Sequence, residues 1–374
     1  MSVQDDDDRL RSVRAALSLY VGGALPLELI GTAEANGLPI DGWVFPPQMP
    51  VAGRYENLSA DLADAGVLLR EHGEALGVTM LVPGDPGWPS GTGADDLPCL
   101  WVTGDGDLAG LLHRAVAICG ELKRSTAYGR HVACDLGVGL AEAGWTVVAS
   151  AFPDGIAAAA TSWTRAVDGR LLLVDAHGHD QFATEPRATG RGSGPGETLV
   201  SPFPPGTVAT WGRYAVHHRL LGTLAAGTVV VEADLNTPGG AAANAAAETG
   251  RIVCAVPGPV TSAASRGTHA LITSRTARLV CTAADVIAAV TEHPSPVDGG
   301  RQRYRITATA SFDDGRWHTR TVPDFFVEAE SAPAAADRAY EVVFAADPHA
   351  RGATLNAGVY GPDGYEAVQV SSTS

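Results

Sequence analysis

From residue 115 onward, short apolar runs alternate with alanine-rich helical stretches, and this alternation constrains the fold more than any other feature of the chain. The runs cover residues 115–119, 145–150, 170–176, 198–203, 228–233, 251–256 and 277–282. Strands that are apolar along their whole length, rather than at every second residue, are buried on both faces, and helices between them supply the cover. The pattern predicts an α/β fold, a doubly wound, mostly parallel sheet. One intervening helix carries Val132, Leu136 and Leu140 four residues apart and stops at Gly144. Another, over 240–249, is built of alanine and other small residues and stops at Gly250.

The flanking segments differ in character. Helical periodicity near 9–21, 26–37 and 60–76 predicts an N-terminal helical domain over 1–76. The sheet domain then covers 77–293, with a loop over 177–197 that lacks apolar periodicity. Pro294, Pro296 and the Gly299–Gly300 pair mark a linker at 294–300. Beyond it, strands near 304–311, 317–322, 341–345 and 359–370 and a helix near 332–340 predict a small α+β module over 301–374.

Composition excludes several classes. No apolar stretch approaches the roughly 20 residues that cross a bilayer, and Asp5 to Asp8 stand where a signal peptide needs bases, so the expectation is a soluble, cytoplasmic protein without a membrane partner. The five cysteines are scattered and form no CxxC pair, which argues against a disulfide framework or a zinc site, and no cofactor is expected. A net charge of −16 opposes a polyanionic partner. Yet residues 1–114 hold 17 acids against 6 bases and residues 291–374 hold 12 against 7, whereas residues 115–290 are balanced at 13 each. The sheet region can therefore carry a local basic patch.

In an open parallel sheet, ligands bind beyond the C-terminal strand ends, where helix N-termini offer free N–H groups. The loop after the first run holds Gly120, Lys123, Arg124, Ser125, Tyr128 and Gly129, and Lys123 is the only lysine in the chain. The loop after the second holds Ser150 and Gly155, and the loop after 228–233 holds Thr237, Gly239 and Gly240. Between these lies Trp211, Gly212, Arg213, Tyr214, Ala215, Val216, His217, His218, Arg219, in which rings alternate with cationic or titratable groups as they do on surfaces that bind single strands. Taken alone, the first loop is as compatible with a capped turn as with phosphate binding, and the 211–219 segment reads better as the start of a surface helix with satisfied histidines. The tandem histidines point about 100° apart on a helix and lack a third metal ligand at suitable spacing.

The order of these motifs resembles the DNA-processing protein A (DprA, or Smf) family. The resembling segments run from LPCLWVTGD at 97–105 through AVAICG, Ser125 to Gly129, AEAGWTVVAS, AFPDGIA, PPGT, the Arg219 segment, VVVEA, ETGRIVCAVPGPV and SRGTHALIT. The resemblance implies a Rossmann-like domain, without catalysis, that binds single-stranded DNA and helps to load a RecA-type recombinase during natural transformation and DNA recombination, and it implies a homodimer. It assigns phosphate contacts to Lys123, Arg124, Arg213 and Arg219 and stacking to Tyr128, Trp211 or Tyr214. The family's Gly-Ile-Asp-x-x-Ala-His is here Gly155, Ile156 and four alanines, and its Arg-Asn-Arg is here His217, His218, Arg219. Fewer fixed charges imply a shallower salt dependence. Histidines near their reference pKa of about 6.5 imply tighter binding on mild acidification. The whole reading requires an electropositive hollow at the strand ends.

Two alternatives share the scaffold. One is a nucleotide-binding or nucleotide-hydrolysing enzyme similar to the "lonely guy" phosphoribohydrolases, motivated by Pro238, Gly239, Gly240 and Glu248, with Glu232 and Glu248 as the carboxylates available for glycosidic cleavage. The other is an interaction scaffold whose DNA site has decayed, motivated by the alanines at 157–160.

Overall fold

A computed structural model of the chain describes residues 3–22, 62–104, 107–121, 124–152, 154–179, 196–234, 238–293, 302–313, 317–329, 354–360 and 366–373. The chain divides into two compact units, residues 1–246 with 252–293, and residues 247–251 with 294–374.

The first unit opens with α1 (Val3–Leu17) and α2 (Leu62–Ala75), which pack against each other. Ala15, Leu19 and Leu69 from this helical part form one buried cluster with Val78, Cys99 and Trp101, so the helices share a core with the first strands. The expected helix near 26–37 lies outside the described residues.

A nine-stranded sheet follows. Its strands are β1 (Thr79–Leu81), β2 (Leu100–Thr103), β3 (Ala115–Cys119), β4 (Thr146–Ser150), β5 (Leu171–Val174), β6 (Glu197–Ser201), β7 (Gly227–Val230), β8 (Ile252–Ala255) and β9 (Arg278–Leu279), in the order β1-β2-β6-β5-β4-β3-β7-β8-β9. The strands from β6 to β9 are parallel, whereas β2 runs antiparallel to β6 and β1 antiparallel to β2. Every residue of β3, β4, β5, β6 and β7 is buried, as expected for strands covered on both faces, and β6 buries the polar Glu197, Thr198 and Ser201 along with Leu199 and Val200. All seven expected runs form strands. β1 and β2 are additions that no alternating or continuous apolar run longer than four residues announces.

The connecting helices are α3 (Leu108–Leu112), α4 (Ala127–Glu142), α5 (Gly155–Ala166), α6 (Trp211–Leu224), α7 (Pro238–Glu248), α8 (Arg266–Thr273) and α9 (Ala283–Glu292). Leu136 and Leu140 of α4, Ile156 of α5, and Val286 and Val290 of α9 are buried with Val116, Ile118, Val147 and Val229 of the sheet in one cluster. Each such side chain contributes roughly 1.5–3 kcal/mol on burial. The chain winds outward from β3 to β6 and then returns through α6 to β7 on the other side of β3. The switch point therefore lies between β3 and β7.

The second unit holds β10 (Gln302–Asp313), β11 (Trp317–Ala329), β12 (Thr354–Tyr360) and β13 (Glu366–Thr373), an antiparallel sheet in the order β11-β10-β12-β13. The run expected as one strand over 359–370 falls on two, the end of β12 and the start of β13, which pair antiparallel. The expected helix at 332–340 and strand at 341–345 lie outside the described residues.

Candidate nucleic-acid interface

Parallel strands end on one edge, so the loops after β3, β4 and β7 bring the N-termini of α4, α5 and α7 to the same edge beside the switch point. Thr126 caps α4: its backbone is extended and its Oγ1 accepts from Gly129 N–H at 3.1 Å. Asp154 caps α5, accepting from Gly155 N–H at 2.7 Å, and Gly155 has φ +77°, a left-handed conformation that a side chain would strain.

Two buried carboxylates lace these loops together. Glu232, 1% exposed, accepts from Thr126 N–H at 2.9 Å through Oε2 and from the Thr126 hydroxyl at 2.5 Å through Oε1. Glu121 accepts from Asp234 N–H at 3.1 Å, its own N–H donates to Glu232 O at 2.8 Å, and its carbonyl accepts from Ile156 N–H at 3.1 Å. The glycines make this possible. A Cβ on Gly129 would overlap the Glu232 carboxylate, one on Gly120 would meet Glu232 O at 2.7 Å, and one on Gly239 would meet Gly120 Cα at 2.9 Å. Gly240, by contrast, faces open space. The strand-end edge expected to be electropositive thus has two buried acids built into it, because loops this close need acceptors for their orphan N–H groups.

The remaining residues of the first two loops divide by exposure. Arg124 is exposed, and Ser125 accepts from Arg130 through both its carbonyl (2.8 Å) and Oγ (3.3 Å). Tyr128 leaves its ring exposed while its hydroxyl donates to Pro257 O at 2.7 Å, which fixes the ring. Ser150 is buried, its Oγ accepting from Phe152 N–H at 3.2 Å. Lys123 and Thr237 lie outside the described residues.

The α6 segment corrects the sequence reading most. Arg213 is 3% exposed and donates to Val208 O at 2.6 Å and Leu19 O at 3.0 Å, with its guanidinium 5.5 Å from the Phe203 ring. It is a structural cross-link rather than a phosphate contact, and burial lowers its pKa to about 10. His217 is 1% exposed and its Nε2 lies 3.1 Å from Val174 O. A carbonyl only accepts, so Nε2 carries the proton. Burial holds His217 at about pKa 3 and His218 at about 4, so neither supplies charge near neutrality. The expected tightening on mild acidification therefore has no source in these two residues. Arg219 is partly exposed and pairs with Asp96 at 2.9 Å. Trp211, at 83% exposed, keeps the stacking role available to it, whereas Tyr214 is half-buried against His217, His218 and His177.

Sequence reasoning did not single out Asp175 and His177, which follow β5 and complete this cluster. His177 N–H donates to Asp175 Oδ1 at 3.0 Å, its Nδ1 lies 3.2 Å from the same oxygen, and burial raises the Asp175 pKa. Their separation from α6 by about 40 positions left no local signal. Among the described residues, no group of three or more His, Cys, Asp or Glu side chains can hold a metal ion.

The family model for DNA recombination-mediator protein A matches residues 79–291, more than half of the chain and the whole sheet from β1 to β9. The chain belongs to the DprA family. A Mycobacterium tuberculosis protein bearing the DprA name, from strains CDC 1551 and H37Rv, is 35% identical over 277 residues, which are 69% of this chain and 68% of that protein. The DprA of Streptococcus pneumoniae shares the fold, with a TM-score of 0.54 at 20% identity over 74% of this chain and 97% of that one. Within this DprA-family chain, the loops at Gly120, Ser150 and Gly239 all fall inside the matched region.

Proposed function

We propose that this DprA-family chain binds single-stranded DNA across the C-terminal edge of its nine-stranded sheet and, in the cytoplasm, delivers it as a homodimer to a RecA-type recombinase during DNA uptake and recombination. Family membership supports the reading at the level of DNA processing. The observation that carries it to this edge is the convergence of the loops after β3, β4 and β7 at the switch point, where Arg124 and the fixed Tyr128 ring are both exposed. Gly240, in the first turn of α7, faces open space and allows close backbone approach, and Trp211 offers a second stacking face.

The phosphoribohydrolase alternative is weaker on geometric grounds. A carboxylate that assists glycosidic cleavage must reach the leaving group, yet both oxygens of Glu232 are engaged with Thr126 beneath the surface, and Glu248 closes α7 at the end opposite the loops.

Fluorescence anisotropy with labelled oligothymidylate and a duplex competitor tests the DNA reading. Saturable binding that single strands compete better than duplex is the expected result, and no binding at low salt contradicts it. A strand-exchange assay, in which single-strand-binding protein blocks a RecA-type recombinase, tests delivery: added chain restores exchange if the reading holds.

A further inference from the structure

We propose that Glu232 is a positioning residue for DNA binding, one that acts through Thr126 to set where Arg124 and Ser125 stand. The inference rests on the single-strand reading above. It gives a function to a carboxylate buried at the edge where a phosphate-binding surface would be expected to exclude one.

A buried carboxylate is costly unless its lone pairs are filled, and among the described residues no cation pairs with Glu232. Its partners are an N–H and an O–H of a single residue, Thr126, at 2.9 and 2.5 Å. Thr126 in turn caps α4 through Gly129 N–H, so the carboxylate also sits at the positive end of that helix. Gly129 leaves room for the carboxylate and for no Cβ, which fixes the approach of α4 to the end of β7.

The link is doubled in the opposite direction. Glu121 reaches from the β3 loop to Asp234 N–H, and its backbone N–H reaches Glu232 O. The two loops therefore exchange hydrogen bonds as a unit, and neither moves without the other. Arg124 lies two residues before the Thr126 anchor and Ser125 lies one before it. An isolated cation on a free loop must lose conformational entropy to meet a phosphate. One anchored at the neighbouring cap has already lost the backbone share of that entropy.

A competing reading gives Glu232 no role beyond its charge, which would repel phosphates. The two readings predict opposite signs. Oligothymidylate binding is measured by anisotropy for wild type, Glu232→Gln, Glu232→Ala, Arg124→Ala and the Arg124→Ala/Glu232→Ala pair, with melting temperatures taken alongside. Positioning predicts that Glu232→Ala weakens binding about tenfold or more, and that Glu232→Gln, whose amide oxygen still accepts from Thr126 N–H, recovers most of the loss. It also predicts that the Arg124→Ala effect shrinks to under about twofold in the Glu232→Ala background, since both changes then remove one shared contact. Tighter binding by Glu232→Gln, or additive losses in the pair, overturns the proposal.

Hydrogen exchange at the Thr126 and Gly129 amides, measured without DNA, separates the two layers. Wild type that fails to bind oligothymidylate removes the single-strand reading and the positioning role with it, whatever the amides show. Wild type that binds, with amide protection unchanged in Glu232→Ala, leaves the DNA reading standing and removes the positioning role alone.

Discussion

Arg213 of α6 donates to the Leu19 carbonyl at 3.0 Å, and this bond ties the helix preceding β7 to the turn that follows α1. The same guanidinium donates to Val208 O at 2.6 Å, so one buried cation ties α6 and the loop just before it to a segment 194 positions away. Arg213→Met leaves both carbonyls without their donor and is expected to destabilise the first unit by about 2–4 kcal/mol in chemical denaturation. The salt dependence of DNA binding by the folded fraction stays as in wild type. A neutral effect on stability with a shallower salt slope would return Arg213 to the phosphate-binding set.

Gly129→Ala tests the packing of α4 against Glu232. At an exposed helix position the substitution gains up to about 1 kcal/mol from propensity. Here the added methyl meets the Glu232 carboxylate, and overpacking of roughly 1–3 kcal/mol outweighs that gain. Net destabilisation in urea is the expected outcome, and a stabilised variant would show that the carboxylate does not occupy this space.

The buried histidines set a pH dependence of stability. His217 titrates near 3 and His218 near 4 in the native state, both below the reference value of about 6.5 expected when unfolded. Between these limits the unfolded chain binds more protons, so their contribution is fully present above about pH 6.5 and is lost as pH falls toward 4 and then 3. For two such groups the slope reaches up to about 2.7 kcal/mol per pH unit. Asp175 acts in the opposite sense, because its raised pKa lets the native carboxyl take a proton first. His217→Leu should flatten the pH 4–6 stability slope by about one proton, and an unchanged slope would place His217 in contact with solvent.

DNA binding should not follow the same titration. His217→Gln/His218→Gln is expected to leave the pH dependence of oligothymidylate binding between pH 8 and 5.5 as it is in wild type, because neither ring is charged in that range. A wild-type gain in affinity that this pair abolishes would restore the histidines to the interface.

Most of the parallel strands were legible because burial on both faces leaves apolar runs, and Ala115–Cys119 is bounded in the structure as it is in the sequence, whereas edge strand β9 keeps both Arg278 and Leu279 exposed. β1 and β2 were not, since β2 gains its identity from pairing with β6, and β1 from pairing with β2, rather than from any local pattern. At the site, glycine spacing identified the loops. What composition cannot convey is which charges face inward. Arg213 and Glu232 carry the same formal charge in the sequence whether buried or exposed, and their partners, Leu19 and Thr126, lie 194 and 106 positions away.

The salt dependence of oligothymidylate affinity for wild type and Arg124→Ala tests the DNA reading most directly. Binding to this edge predicts that log affinity falls linearly with log salt and that Arg124→Ala weakens binding while reducing the slope by about 0.7, the value for one phosphate contact on a single strand. Equal slopes and equal affinities for the two proteins, or no measurable binding by wild type at low salt, would contradict it.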